Sequence, residues 1–77
     1  MTTKELISKM EFSFEVDDGT IKLDDVLIYC DYWDSMANIV FMSMVDAVLG
    51  LKLSANDVQK SRTVGDLINL CKSKLDD

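Results

Sequence analysis

Two neighbouring side chains offer the clearest chemistry in this sequence: Asp34 and Ser35, within CDYWDSMANIV from Cys30 to Val40. A serine in the first turn of a helix lies beside free backbone N–H groups and the positive end of the helix dipole, a setting that favours an attached or bound anion such as a phosphoryl group. The same place also suits plain capping, because Asp and Ser are preferred at helix starts. What Ser35 lacks is an activator. The chain has no histidine, so the usual general base near neutral pH is missing. Cys30 and Cys71 have neither a histidine nor a paired cysteine nearby in sequence to depress their pKa or to bind metal, and they read as small buried hydrophobes. The acids Asp17, Asp18, Asp24 and Asp25 do not follow the order of a calcium-binding loop and read as a solvated acidic loop. No catalytic residue and no metal site are expected.

Composition narrows the field further. Seventy-seven residues form one small domain, 1–77, with little core to spare for an elaborate active site. An apolar fraction of 48% with 29% charge is a folding composition rather than a disordered one. Fourteen acids against eight bases leave a net charge of −6, which argues against a nucleic-acid partner and favours basic ones. No apolar run approaches the roughly 20 residues that span a bilayer, so no membrane insertion is expected. The charged N-terminal stretch MTTKELISKM lacks the apolar segment of a secretory signal, so the expectation is a cytoplasmic monomer with reduced thiols.

The elements that must position Asp34 and Ser35 are helical. Leu6, Ile7, Met10 and Phe14 recur at helical spacing, which predicts a first helix from Thr2 or Thr3 to about Phe14. Asp17, Asp18, Gly19 and Thr20 are turn residues, and the connection that follows, to Asp34, is long for a compact domain. Ile21, Leu23, Val26, Leu27 and Ile28 are expected to pin it to the core, with one short helical turn at LDDVL; Tyr29, Tyr32 and Trp33 read as further anchors. The second helix should run from Asp34 or Ser35 to Leu49, with Gly50 as the left-handed residue that ends it. A short third helix is signalled by Ser54 as cap and should end near Lys60. The last opens at TVGD, with Thr63 capping, and carries Val64, Leu67, Ile68, Cys71 and Leu75 on one face, before a fraying KSKLDD end. Gly65, in its first turn, costs up to about 1 kcal/mol relative to alanine, and is either tolerated there or admits a close backbone approach. The predicted fold is all-α: a small four-helix bundle, three main helices plus a short third one, with a long loop between helices 1 and 2.

The second helix is apolar on too many sides for a domain this small, since eleven of the fifteen residues from Ser35 to Leu49 are apolar. At 100° per residue, Phe41, Met42, Val45 and Leu49 share one side, while Met36, Val40 and Ala47 lie almost opposite. Either the second side packs on the long loop, or Met36, Ile39, Val40 and Ala47 form an apolar docking patch for another protein beside Ser35.

WDSM followed by an apolar helix and then LGLKLSANDVQKSRTVGDLINL resembles the acyl carrier protein family, whose mark is Asp-Ser-Leu or Asp-Ser-Met at the start of the second of four helices. The resemblance runs from about Leu23 to Leu70; the first helix agrees only in length and pattern. It implies that Ser35 is the attachment site of phosphopantetheine, delivered from coenzyme A by a phosphopantetheinyl transferase, and that Asp34 takes part in recognition by that transferase. It also implies that Met36 stands where a leucine usually touches partner enzymes, those that load and accept acyl groups carried as thioesters. A carrier needs no catalytic side chain, because a tethered arm turns each transfer into a near-intramolecular encounter.

Two departures stand out. The second helix has Asp46 as its one acid, with Val40 and Ala47 where the family commonly has acids, so docking should rest more on apolar contact than on salt-sensitive steering. Trp33 before the motif and the TVGDL segment are more similar to stand-alone carriers of specialised pathways. A peptidyl or aminoacyl carrier protein and a helical interaction module that carries nothing are the alternative readings.

Overall fold

The computed structural model describes residues 1–77 and is all-helical. Helix α1 spans Thr3–Phe14, α2 Ser35–Leu49, α3 Ala55–Lys60 and α4 Val64–Leu70, with short 3-10 turns at Leu27–Tyr29 and Lys72–Lys74. No helix is long and apolar enough to cross a membrane.

Each α-helix begins on a side-chain cap. Thr2 accepts from the Glu5 N–H at 3.2 Å while Glu5 accepts from the Thr2 N–H at 2.9 Å, a reciprocal box that opens α1. Asp34, Ser54 and Thr63 open α2, α3 and α4, and α2 stops at Gly50, whose φ of 65° is the left-handed value the sequence predicts there. Helix α1 ends on Glu15 at φ 59°, a left-handed conformation unusual for a residue with a Cβ. The core is drawn from all four α-helices and the long loop: Leu6 and Met10, then Ile21 and Leu27, then Phe41, Met44 and Val45, then Val58, then Val64, Leu67, Ile68 and Cys71. Losing a ring such as Phe41 from this core would cost about 3–5 kcal/mol, a large share of the stability of a small domain.

The long loop departs from its predicted path. Its helical turn is a 3-10 turn at Leu27–Tyr29, not at 23–27, because the carbonyls of Leu23 and Asp25 are already committed to α4. Gly65 N–H donates to the Leu23 carbonyl at 2.8 Å, Val64 N–H to that of Asp25 at 3.1 Å, and Leu27 N–H to that of Arg62 at 2.9 Å. Val26 and Thr63 thus form an isolated antiparallel bridge. Of the five apolar anchors predicted, Ile21 and Leu27 are buried, whereas Leu23, Val26 and Ile28 are exposed; Tyr29 is exposed too. Backbone hydrogen bonds do the pinning that apolar side chains were expected to do. Gly65 is the close approach: a Cβ there would lie 3.2 Å from the Leu23 oxygen.

A second anchor comes from Glu11, only 3% exposed, whose Oε2 accepts from the Ile21 N–H at 2.9 Å. A buried carboxylate is tolerable because it is hydrogen-bonded. The last helix also ends earlier than its apolar stripe suggests, at Leu70, and the chain continues as a 3-10 turn. KSKLDD is not a fraying helix end. Asp76 pairs with the Met1 ammonium and donates its N–H to the Met1 carbonyl at 2.9 Å, and Asp77 accepts from Thr3 N–H and Oγ1 at 3.1 and 3.0 Å. The tail leaves the helical path to bring carboxylates to the positive end of α1.

Candidate functional site

The segment that delivers Asp34 and Ser35 is fixed by aromatic side chains. Tyr32 stacks on Phe14 with ring centroids 6.1 Å apart, Trp33 meets Phe14 edge-on at 6.1 Å, and Trp33 meets Phe41 edge-on at 6.1 Å. Trp33 is therefore the anchor expected of it, tying the segment to the end of α1 and to the core face of α2. The Tyr32 hydroxyl donates to Asp25 Oδ2 at 2.8 Å. Burial, with help from that carboxylate and from the neighbouring Cys30, raises the Tyr32 pKa and keeps the phenol neutral. Asp25 is a hub, since its Oδ2 also accepts from the Lys22 N–H at 3.0 Å and its carbonyl holds Val64. Tyr32 and Asp25 had no signal in the sequence beyond the aromatic itself, because their pairing depends on how the loop folds back.

At the helix start, Asp34 takes an extended conformation and its Oδ1 accepts from the Ala37 N–H at 2.8 Å. Its carbonyl accepts from both the Asn38 backbone N–H, at 3.1 Å, and the Asn38 side-chain amide, at 2.8 Å. These bonds belong to Asp34 and Asn38, and Ser35, the first helical residue, is exposed. The capping task falls to the aspartate, so the serine is not needed for it.

The predicted patch faces outward. Met36 is 66% exposed and Ile39 61%, Ala47 is exposed, and Val40 is half-buried. The opposite side of the helix, through Ala37, Phe41, Met44 and Val45, is buried. The patch is divided at the helix start. Ile39 lies with Ser35 beside a depression of about 370 Å³ between α2 and α3, bordered by Asn38, Met42, Ala55 and Gln59. Met36 and Val40 face a different hollow, toward Phe14 and Tyr32. Asp46, the helix's one acid, is partly neutralised by Lys52 at 3.1 Å.

The cysteines differ. Cys71 is buried, and burial pushes its thiol up to about 11, so it stays protonated and unreactive. Cys30 is only half-buried, contrary to expectation, because its Sγ turns to donate to the Val26 carbonyl at 3.3 Å. No group of three or more His, Cys, Asp and Glu side chains is placed to hold a metal ion.

No model of a known protein family, no curated protein and no solved structure matches this chain. The helical fold is shown; what the helix start at Ser35 does is a matter for its own chemistry.

Proposed function

We propose that this chain is an acyl carrier protein, with phosphopantetheine attached to Ser35 and acyl groups passed between partner enzymes of a specialised biosynthetic pathway. The observation that carries this reading is the division of labour at the start of α2. Asp34 satisfies the helix N-terminus, so Ser35 stands exposed in the first turn, beside backbone N–H groups that favour a phosphodiester. The residues fit such a group: the serine is accessible, and the hollow beside it, with Ile39 and Met42 on its border, leaves room along the helix. When attached, phosphopantetheine supplies a flexible arm ending in a thiol that carries acyl groups as thioesters.

Attachment joins Ser35 Oγ to the phosphorus that bears the pantetheine of coenzyme A. The pyrophosphate bond breaks, adenosine bisphosphate leaves, and the hydroxyl proton passes to the transferase. Asp34 orients the serine through its cap and offers a carboxylate to the transferase. Met36 and Ile39 provide apolar contact for the transferase and for the enzymes that load and accept cargo. The carrier works as a cytoplasmic monomer in this reading. A peptidyl or aminoacyl carrier would use the same attachment and differ in its cargo.

The test is incubation with coenzyme A and a broad-specificity phosphopantetheinyl transferase, read by intact mass. Wild type should gain one phosphopantetheinyl group and Ser35→Ala none. A wild type of unchanged mass would leave the second reading, a helical interaction module, which the exposure of Met36 and Ile39 favours independently.

A further inference from the structure

We propose that the outward face of α1 seats an acidic amphipathic helix of a partner protein. Leu6, Met10 and Glu11 form the buried side of α1, and Phe12 projects from the opposite side; at 85% it is the most exposed large apolar side chain of the chain. A single apolar residue at a surface needs no explanation, but Phe12 has a setting. It borders a depression of about 540 Å³ along the helix, with Lys9, Ser8, Glu5, Lys4 and Met1. Lys4, Ser8 and Phe12 follow one another at i, i+4 and i+8, so they form one ridge of the helix surface, which dips at the small serine between a lysine stem and a phenyl ring. The face also reverses the sign of the chain's net charge of −6. Its charged side chains are Lys4, Lys9 and Glu5, and the Glu5 carboxylate is turned back to accept from the Thr2 N–H at 2.9 Å. Neither lysine is in an ion pair, since the chain's two lie at Met1–Asp76 and Lys52–Asp46.

These features select the occupant. A second copy laying its own α1 here would bring together two faces of the same net sign. An extended anionic surface, such as a membrane, would reach past the two lysines to the fourteen acids of the chain and be repelled. A narrow acidic helix meets the lysines and little else. One of its leucines fits over Ser8, between the Phe12 ring and the aliphatic stem of Lys4, and carboxylates flanking its leucines reach the ammonium groups of Lys4 and Lys9. Phe12 supplies the large apolar contact area that anchors such pairs. The face is preformed, because α1 is held at its start by the reciprocal Thr2–Glu5 bonds and near its end by the Glu11 carboxylate on Ile21 N–H, and preformed surfaces lose less on binding. It lies on a different helix from Ser35, and its occupation does not require that Ser35 be modified.

The experiment is an NMR titration of the full chain with a blocked peptide, acetyl-Ala-Glu-Leu-Glu-Ala-Leu-Leu-Ala-Glu-Leu-Glu-amide, whose acids flank a leucine stripe when helical, and with the same peptide carrying glutamine for each glutamate. The acidic peptide should shift the Phe12 ring and the Ser8 and Lys9 amides saturably, with smaller changes at lysines on other faces such as Lys52 and Lys60. The glutamine peptide should bind at least about threefold more weakly, and Phe12→Ala, or Lys4→Gln with Lys9→Gln, should each weaken the acidic peptide about three- to tenfold. The substituted residues are exposed, so the variants retain the fold, which their spectra check directly. Equal binding of the two peptides, shifts that leave out Phe12 or spread evenly over all lysines, or unaffected variants would overturn the proposal. So would the same α1 shifts produced instead by concentrating the chain alone, which would make the occupant a second copy, or by phosphatidylglycerol vesicles, which would make it a membrane.

Discussion

Two helix starts in this molecule are built from similar local parts and put to different use. The starts of α2 and α4 each have a side-chain cap, Asp34 and Thr63, that accepts from the N–H three residues on. At α4 the start is a joint: Arg62, Val64 and Gly65 exchange backbone hydrogen bonds with the long loop, and Val64 is fully buried. At α2 the first two helical residues, Ser35 and Met36, face solvent. The contrast separates what holds the fold from what is left accessible. A serine at the α4 start would be enclosed by the loop, whereas at α2 an enzyme can reach it.

The comparison can be broken by substitutions on each side. The largest loss is expected at the long loop's other anchor, on α1 and away from both helix starts. Glu11→Ala removes the carboxylate that accepts from Ile21 and leaves that N–H buried, and should lower the unfolding free energy by about 2–3 kcal/mol in urea denaturation. Next is Gly65→Val. Its Cβ would meet the Leu23 oxygen, which cannot withdraw without losing its hydrogen bond to Gly65, so crowding should outweigh helix propensity and cost about 1–3 kcal/mol.

A smaller effect is expected from acid. Hydrogen bonds from the Arg62 and Thr63 N–H groups hold the Asp66 carboxylate below its ordinary 3.8. A carboxyl whose folded pKa is depressed stabilises the fold above its unfolded pKa, and that stabilisation is lost as pH falls through the lowered value. Asp66→Asn should therefore flatten the fall of melting temperature below about pH 3.8 relative to wild type; an unchanged acid limb would remove Asp66 from the joint. The least effect is expected at the α2 start, where Ser35→Ala and Met36→Ala should each change stability by no more than about 0.5 kcal/mol. If either cost as much as Gly65→Val, the distinction between joint and accessible site would fail.

What was legible in the sequence was local. Asp34, Ser54, Thr63 and Gly50 announce helix boundaries because caps act within three or four residues of themselves, and the structure has them in those roles. The outward patch of Met36, Ile39 and Ala47 followed from helical geometry alone, with Val40 only half exposed. What was not legible depends on partners distant in the chain. Glu11 carried one signal, its place four residues after Ile7 on a helix whose stripe is apolar, but its charge argued for solvent and the amide of Ile21 decided otherwise. The loop's route was set by backbone groups, which every residue carries, so side-chain pattern could not place the turn at Leu27–Tyr29. The tail likewise looked like a soluble end until Thr3 and Met1 supplied donors for its carboxylates.

The central claim is that Ser35, and no other hydroxyl, is the attachment point. Ser54 is the natural control, since it too opens a helix but spends its oxygen accepting from the Asp57 N–H at 3.0 Å. After incubation with coenzyme A and a phosphopantetheinyl transferase, fragmentation mass spectrometry of the digested protein should find one phosphopantetheinyl group, on the peptide containing Ser35. A group on Ser54 or any other residue, or none on any peptide, would contradict the account.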